Sequence, residues 1–345
     1  MLSLVFLGWL VHWQLALAAS PIPPHLSLVE GCTVYNTEVR VVKTLPGVRC
    51  LFRDNGDFVS ADEKGLRYYD RLGKVLWEIP GHFHHQMNWS SDGTFILAID
   101  SLVQQYRQGA RQRFDRLQIV NLAGQVQHSV EVVQLFAQKQ LEALKFENKF
   151  KTLLGVPQEG SHFNSFYQIP PLVPGTGRPA WLRPGNYLVN SLGLGYFVLD
   201  PTLQTVLHHE KKTRARMNLM HDVQVLENGH LFYLNNLSVE STLTNRFSTV
   251  EEQSPINGQV LTEVRGSPAA LFYTRFGGGA QKVSDDLILF SHAVLGVYLY
   301  SIKQRDIIWS TVFIHMKDGG EIHYVQQVKL VDLRNFLKNN GSSRL

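Results

Sequence analysis

Two segments of the chain place a histidine eight residues ahead of a turn glycine: His85 before Asp92-Gly93 and His221 before Asn228-Gly229. Asp-Gly and Asn-Gly are hairpin turns, so each imidazole stands at the start of a strand. His162, in His162-Phe163-Asn164-Ser165, holds the matching place in another repeat, and Gly278, in Gly277-Gly278-Gly279-Ala280-Gln281, holds it in a fourth. Imidazole can serve near neutral pH as nucleophile, proton carrier or hydrogen-bond donor. One such histidine alone reads as a polar residue capping a strand end. Three in register read as one site, with Gly278 leaving open space for a substrate.

The elements that would bring these residues together recur along the chain. Five segments carry an alternating apolar strand, a turn and a second strand: Leu66 to Asp70 with Gly73 to Trp77, Leu117 to Asn121 with Gly124 to Val126, Gly195 to Asp200 with Thr205 to Leu207, Phe247 to Val250 with Gly258 to Leu261, and Val297 to Tyr300 with Ile307 to Trp309. Measured at the residue closing each first strand (Asp70, Asn121, Asp200, Glu251, Ser301), the intervals are 51, 79, 51 and 50 residues. A period of this size built from strands indicates propeller blades, because a four-stranded sheet buries both faces only when neighbours stack around an axis. Equivalent strand starts in such a ring converge on that axis, which is what would gather the histidines.

The long interval holds an insertion. Val133 to Leu154 is rich in helix formers and stops at Gly155 and Pro157, predicting a short helical insertion over about 133–154. Pro170 to Pro184 carries five prolines and predicts a long loop over about 170–184.

Residues 1–19 read as an export signal: an apolar run from Leu2 to Leu17, then Ala16-Leu17-Ala18 in small-x-small form. The run has no Lys or Arg ahead of it, which leaves a retained anchor open. The remainder, 20–345, reads as a single exported domain, periplasmic or extracellular, with no later stretch approaching the ~20 apolar residues of a membrane span. The net charge of +4 comes from scattered Lys and Arg rather than a stripe, which argues against a nucleic-acid partner. Cys32 and Cys50 could form one disulfide or stand as two buried thiols on neighbouring strands. His208-His209 and His82-x-His84-His85 lack a nearby Cys or carboxylate set, so no metal is implied. No Lys-Ser or Lys-Thr follows the glycine run, so no nucleotide cofactor is implied either. Asn88-Trp89-Ser90, Asn236-Leu237-Ser238 and Asn340-Gly341-Ser342 match the glycosylation pattern, which is frequent by chance.

In order and spacing these motifs resemble the arylsulfotransferases of bacteria, propellers that use phenolic sulfate esters rather than a nucleotide sulfate donor. Gly31-Cys32-Thr33-Val34-Tyr35 with Cys50-Leu51-Phe52 resembles that family's entry strand. His84-His85, His162-Phe163-Asn164-Ser165 and His221-Asp222 resemble its histidine motifs, and Gly278-Gly279-Ala280-Gln281 its last full blade. The resemblance implies an all-β fold, a six-bladed β-propeller of four-stranded antiparallel blades. Its sixth blade would be closed by strands from both ends, with Thr33 to Lys43 and His323 to Val331 as candidates. It implies cofactor-free transfer of a sulfuryl group from a phenolic sulfate donor to a phenol acceptor, with His221 as nucleophile and His85, His162 and Asn164 as donors to the sulfuryl oxygens. His84, Asp222, Arg275 and Gly278 would contact substrate, and a homodimer is compatible with the resemblance.

One position departs from the pattern. The family carries an arginine after the strand that follows its His-x-Asn motif, and Leu192 stands there. Arg275 is a substitute from another blade. The departure keeps open a ligand-binding propeller with weak or no catalysis. Asp70 to Trp77 resembles the tryptophan-docking repeat of quinone-dependent dehydrogenases and outer-membrane assembly scaffolds, a further alternative, but is one residue short and does not recur.

Overall fold

Short alternating strands separated by Gly, Asp and Asn turns pair into six blades of four antiparallel strands each, arranged as a β-propeller; one blade carries a further short strand, Gln158–Glu159, added in parallel beside Arg111–Asn121, and His315–Met316 pairs separately with Ile322–His323. The computed structural model describes residues 22–23, 25–105, 111–136, 158–159, 161–174, 178–191, 194–211, 220–236, 247–265, 274, 277–292, 296–311, 315–316, 322–323 and 328–333. From the innermost strand outward, blade 1 is Arg49–Phe52, Phe58–Ala61, Gly65–Tyr69 and Val75–Pro80. Blade 2 is Asn88–Trp89, Phe95–Gln105, Arg111–Asn121 and Val126–Glu131. Blade 3 is Phe163–Gln168, Tyr187–Ser191, Gly195–Leu199 and Val206–Lys211. Blade 4 is Met220–Val225, Leu231–Asn235, Thr249–Gln253 and Val260–Arg265, and blade 5 is Gly279–Lys282, Leu287–His292, Gly296–Ser301 and Asp306–Thr311. Each of the five hairpins read from the sequence is the outer pair of one blade.

Blade 6 closes the ring with one strand from the far end of the chain and three from the near end, in the order Val328–Val331, Ser27–Glu30, Thr33–Tyr35, Val41–Thr44. Closure from both ends is what the structure has; of the expected His323 to Val331 segment, Val328–Val331 joins the blade while His323 pairs with His315 in a separate two-stranded sheet. Ser27–Glu30 is the addition, too short at four residues to announce itself by alternation. It pairs on both sides, from Leu28 to Tyr35 and from Leu28 to Leu330.

The core lies between facing blades rather than within any one of them. Between blades 2 and 3, Leu97, Ile99, Phe163, Phe166, Val189 and Phe197 are buried together. Trp77 of blade 1 works at the rim, donating from Nε1 to the Leu122 carbonyl of blade 2 at 2.8 Å. A Cβ on Gly124, where φ is +80°, would come within 2.8 Å of the Trp77 ring, so glycine is required for that docking.

The long loop of blade 3 is present between Phe163–Gln168 and Tyr187–Ser191, held by buried Ile169 and Leu182 and by Trp181 stacked on His208 at 4.2 Å. Of the predicted helix, the described part is one turn, Val132–Leu135; residues 137–157, like residues 1–19 where an export signal is expected, lie outside the described residues. Among the described residues no helix is long and apolar enough to cross a membrane. Two of the glycosylation matches are buried: Asn88 is 4% exposed, and Asn236 is fully buried and donates to the carbonyls of Thr274 and Gly277. Neither can carry a glycan in the folded protein.

Cys32 and Cys50 are bridged, with their Cα atoms 4.8 Å apart. Cys32 precedes a strand of blade 6 and Cys50 lies in the innermost strand of blade 1, so the bridge fastens the closing blade to its neighbour. A loop of 18 residues corresponds to about 3 kcal/mol in the chain-entropy model. Reduction, or Cys32→Ser with Cys50→Ser, should therefore lower the melting temperature by several degrees. A scanning-calorimetry trace unchanged by dithiothreitol would contradict this.

Candidate functional site

Four inner strands enter the axis through a residue with left-handed backbone: His85 (φ 57°), His162 (φ 45°), Asp222 (φ 58°) and Gly278 (φ 85°). The left-handed region costs a residue with a Cβ about 1–2 kcal/mol, and such strain collects at functional sites. By this criterion Asp222, not His221, is the backbone counterpart of His85 and His162. A bulge between His221 and Gln224 absorbs the extra residue, so equal spacing to the turn glycine does not mean equal position.

Gly278 corrects the expectation of open space. A Cβ there would meet the Ser291 carbonyl oxygen at 2.5 Å and Leu234 Cδ2 at 2.8 Å. Glycine is present because the backbone is left-handed and packed against the next strand, not to make room for a ligand.

The imidazoles do converge. The ring centroids of His84 and His85 lie 4.7 Å apart, and His85 meets His162 of the next blade, also at 4.7 Å and edge to face. His82 stands 6.1 Å from His84, with its Nδ1 3.2 Å from Ser101 Oγ. Burial above all, then the neighbouring His162, His84, Arg49 and His221, hold His85 well below the usual imidazole range, so it is neutral near pH 7. His221 of blade 4 therefore lies within electrostatic reach of the His85–His162 pair. The site draws on blades 2, 3 and 4.

Asp115, 2% exposed, organises one side of the cluster. Its Oδ2 accepts from Ser161 Oγ at 2.5 Å and from the Phe163 backbone N–H at 2.8 Å, fixing the chain just before and after His162. Its Oδ1 lies 2.9 Å from His84 Nε2, off the line of a hydrogen bond. Asn164 points its Nδ2 toward the Met220 carbonyl at 3.5 Å, and Asn190 donates to the same oxygen at 2.6 Å. The backbone leading into His221 is thus held from blade 3. Among the described residues, Asn164 Oδ1 and both amide atoms of Gln86 are buried without a hydrogen-bond partner. Leaving each such group unpaired costs about 1–3 kcal/mol.

A second polar layer ties the inner strands to one another. Asn88 Nδ2 donates to Phe166 O at 3.0 Å, Gln224 Nε2 to Ala280 O at 3.0 Å, and Gln281 Nε2 to Leu330 O at 3.2 Å, each reaching the next blade. Tyr167 donates to Asp222 Oδ1 at 2.5 Å, and Asp222 Oδ2 accepts from the Ala280 N–H at 3.3 Å. Asp222, expected against substrate, is 4% exposed and engaged in this belt. Lys329 of blade 6 reaches across the axis, with Nζ 3.1 Å from Asn88 Oδ1 and 5.9 Å from the centre of the Tyr167 ring. Burial lowers the Lys329 ammonium, opposed by the charge of Asp222. Lys329, His85 and Arg49 are each partly exposed.

The structure therefore brings His84, His85, His162, Asn164 and His221 to one region. Arg275 and Leu192 lie outside the described residues. Among the described residues no three His, Cys, Asp or Glu side chains are placed to hold a metal ion. Sequence reasoning missed Asp115, Tyr167, Arg49 and Lys329. Tyr167 and Arg49 carried a faint signal, as polar residues in strands entering the axis. Asp115 and Lys329 had none, because the side chains they meet are 31 or more residues away in the chain.

No family model and no curated protein matches this chain. Among solved structures, a protein of unknown function from Bacteroides caccae is similar at 12% identity, covering 89% of this chain and 98% of its own, with a TM-score of 0.53. That similarity shows a shared fold. Dihydro-heme d1 dehydrogenase NirN in complex with DHE aligns at 13% identity over 86% of this chain and 57% of its own, with a TM-score of 0.40. The β-propeller domain of Myceliophteria thermophila Cps50 (Swd1) aligns at 10% identity over 80% and 89%, with a TM-score of 0.42. At those scores neither bears on function.

Proposed function

We propose that this propeller transfers a sulfuryl group from a phenolic sulfate ester to a phenol through a covalent histidine intermediate on His221. The observation that carries the reading is the meeting of histidines from separate blades at one place on the axis, with His85 in ring contact with His162 and His221 within electrostatic reach. The order of the histidine motifs, which resembles that of the bacterial arylsulfotransferases, supports the same chemistry.

The steps balance without a cofactor. A lone pair of the His221 imidazole attacks sulfur, the S–O bond to the aryl group breaks, and the phenolate leaves with the electron pair and takes up a proton. The acceptor phenol then gives up its proton and attacks sulfur, the S–N bond breaks, and neutral imidazole is restored. Dividing the transfer lowers each barrier. Negative charge spread over three sulfuryl oxygens needs donors fixed in place before reaction, as in phosphoryl transfer. The N–H groups of neutral His85 and of His162, with Asn164 Nδ2, are the donors this reading assigns.

Leu192 favours a second reading, a propeller that binds an aryl sulfate or sulfonate and turns it over slowly or not at all. Incubation with 4-nitrophenyl sulfate and a phenol acceptor separates the two. Release of nitrophenol together with sulfated acceptor is expected. Saturable binding without release would leave the binding reading standing, and neither binding nor release would overturn both.

A further inference from the structure

Arg49 opens the innermost strand of blade 1, and its position is set by three observations. It pairs with Ala61, the fourth residue of its neighbouring strand, and His221 pairs with Leu234, likewise the fourth residue of its own neighbour. In a ring of six, blades 1 and 4 stand opposite each other. Arg49 and His221 thus occupy one level on facing walls, with His85 between them close enough to feel the charge of both.

The second observation is chemical. Its guanidinium has no hydrogen-bond or ion-pair partner among the described residues, unlike the other enclosed cations: Lys282 meets Glu252 at 2.7 Å, Lys329 meets Asn88, and Arg116 meets Asp100. Glu63, whose charge acts on it, is exposed and makes no ion pair with it. Burial pulls the guanidinium down to about 10, which still leaves it charged at neutral pH. A withdrawn cation with no partner in contact is costly to keep.

The third is mechanical. Cys50, the next residue, is bridged to Cys32, and its N–H donates to Gly31 O at 3.0 Å. Gly31 itself is left-handed, and a Cβ there would meet Val48 O at 2.6 Å. The backbone following Arg49 is tied to blade 6 by the disulfide and the Cys50 hydrogen bond, and the backbone preceding it is tied within blade 1 by the Val48 N–H to Ala61 O at 3.2 Å, which limits how far the side chain can retreat to solvent.

We infer that Arg49 is an anion-anchoring residue that grips the sulfonate oxygens of the donor from the wall opposite His221, held in place by the Cys32–Cys50 bridge. The role rests on the sulfuryl-transfer reading and supplies from blade 1 the cation that Leu192 does not. A guanidinium presents paired N–H donors in a fork that matches two oxygens of a tetrahedral oxyanion, which a lysine cannot reproduce.

The test uses the full mature chain and an inert probe, naphthalene-2-sulfonate, whose S–C bond cannot be transferred, with 2-naphthol as neutral control. Isothermal titration of wild type, Arg49→Met, Arg49→Lys and the exposed-site control Arg40→Met is compared. Arg49→Met should weaken sulfonate binding about 10- to 100-fold, leave naphthol binding within about twofold, and leave the melting temperature equal or higher. Arg49→Lys should recover part of the sulfonate affinity, and Arg40→Met should match wild type. Equal sulfonate binding by wild type and Arg49→Met would overturn the role of Arg49 while sparing the sulfuryl-transfer reading. A wild type that binds naphthol but not the sulfonate would overturn both. Parallel loss of both ligands with a lowered melting temperature would show Arg49 to be structural and overturn the inference.

Discussion

If sulfuryl transfer runs through His221 as proposed, wild type mixed with an aryl sulfate in the absence of acceptor should give a burst of about one equivalent of phenol per site, and His221→Ala should give none. The burst is the release of the first phenol as the sulfuryl group moves to the imidazole, so it counts nucleophiles rather than turnovers. Steady-state transfer should fall by on the order of 10⁴ to 10⁶, the cost seen when a covalent catalyst loses its nucleophile. The fold should survive, because His221 is only partly buried on the axis and its removal opens no apolar core cavity. Mass spectrometry of the acid-sensitive adduct should place a sulfuryl group on the peptide carrying His221. A burst that persists in His221→Ala would name a different nucleophile, with His162 next to test, since its ring lies 4.7 Å from that of His85.

Blade boundaries were legible because they depend on local grammar. Asp70, Asn121 and Asp200 accept backbone N–H bonds within their own turns, at 2.8–3.0 Å from side-chain Oδ1, so each turn states its place in a few residues. The innermost strands were harder to read. That of blade 2 has two residues, Asn88–Trp89, held as much by Asn88 reaching blade 3 as by its own ladder. Ring closure was legible from the need to pair both ends, but not the contribution of Ser27–Glu30, whose burial on both sides shows only when Val328–Val331 is beside it.

The site was legible as residue types and illegible as geometry. His85, His162 and His221 announced themselves by chemistry, yet their backbone equivalence depends on a bulge, which leaves no reliable trace in residue spacing. Asp222 and Gly278 were read through their neighbours and misread for that reason. A carboxylate beside a nucleophile suggests catalysis, and a glycine suggests space. Tyr167 from the adjacent blade claims the one, and the Ser291 carbonyl fills the other. Such claims come from residues 55 and 13 positions away, and no local pattern encodes them.

His85→Asn should show two linked effects. Asparagine tolerates the left-handed backbone that His85 adopts, so the substitution tests the imidazole and not the strain. Under the sulfuryl-transfer proposal, losing this donor should slow transfer by about 10² to 10³. The stability effect follows from the depressed protonation of the buried ring. In the unfolded chain an imidazole takes up a proton near pH 6.5, whereas His85 in the folded protein does so only well below that. Between those limits the unfolded state binds more protons, so stability is fully present above the unfolded value and is lost as the pH falls toward the folded one. The slope is about 1.4 kcal/mol per pH unit for one proton. His208, lowered mainly by burial, contributes in the same direction. Urea titrations between neutrality and mild acid should therefore show wild type weakening as the pH drops, and His85→Asn weakening less steeply. A variant with wild-type pH dependence would mean that His85 takes up its proton over the same range folded as unfolded, so that burial does not hold it neutral. The same titration thus tests whether burial holds His85 neutral, the form in which the sulfuryl-transfer reading uses it as a donor.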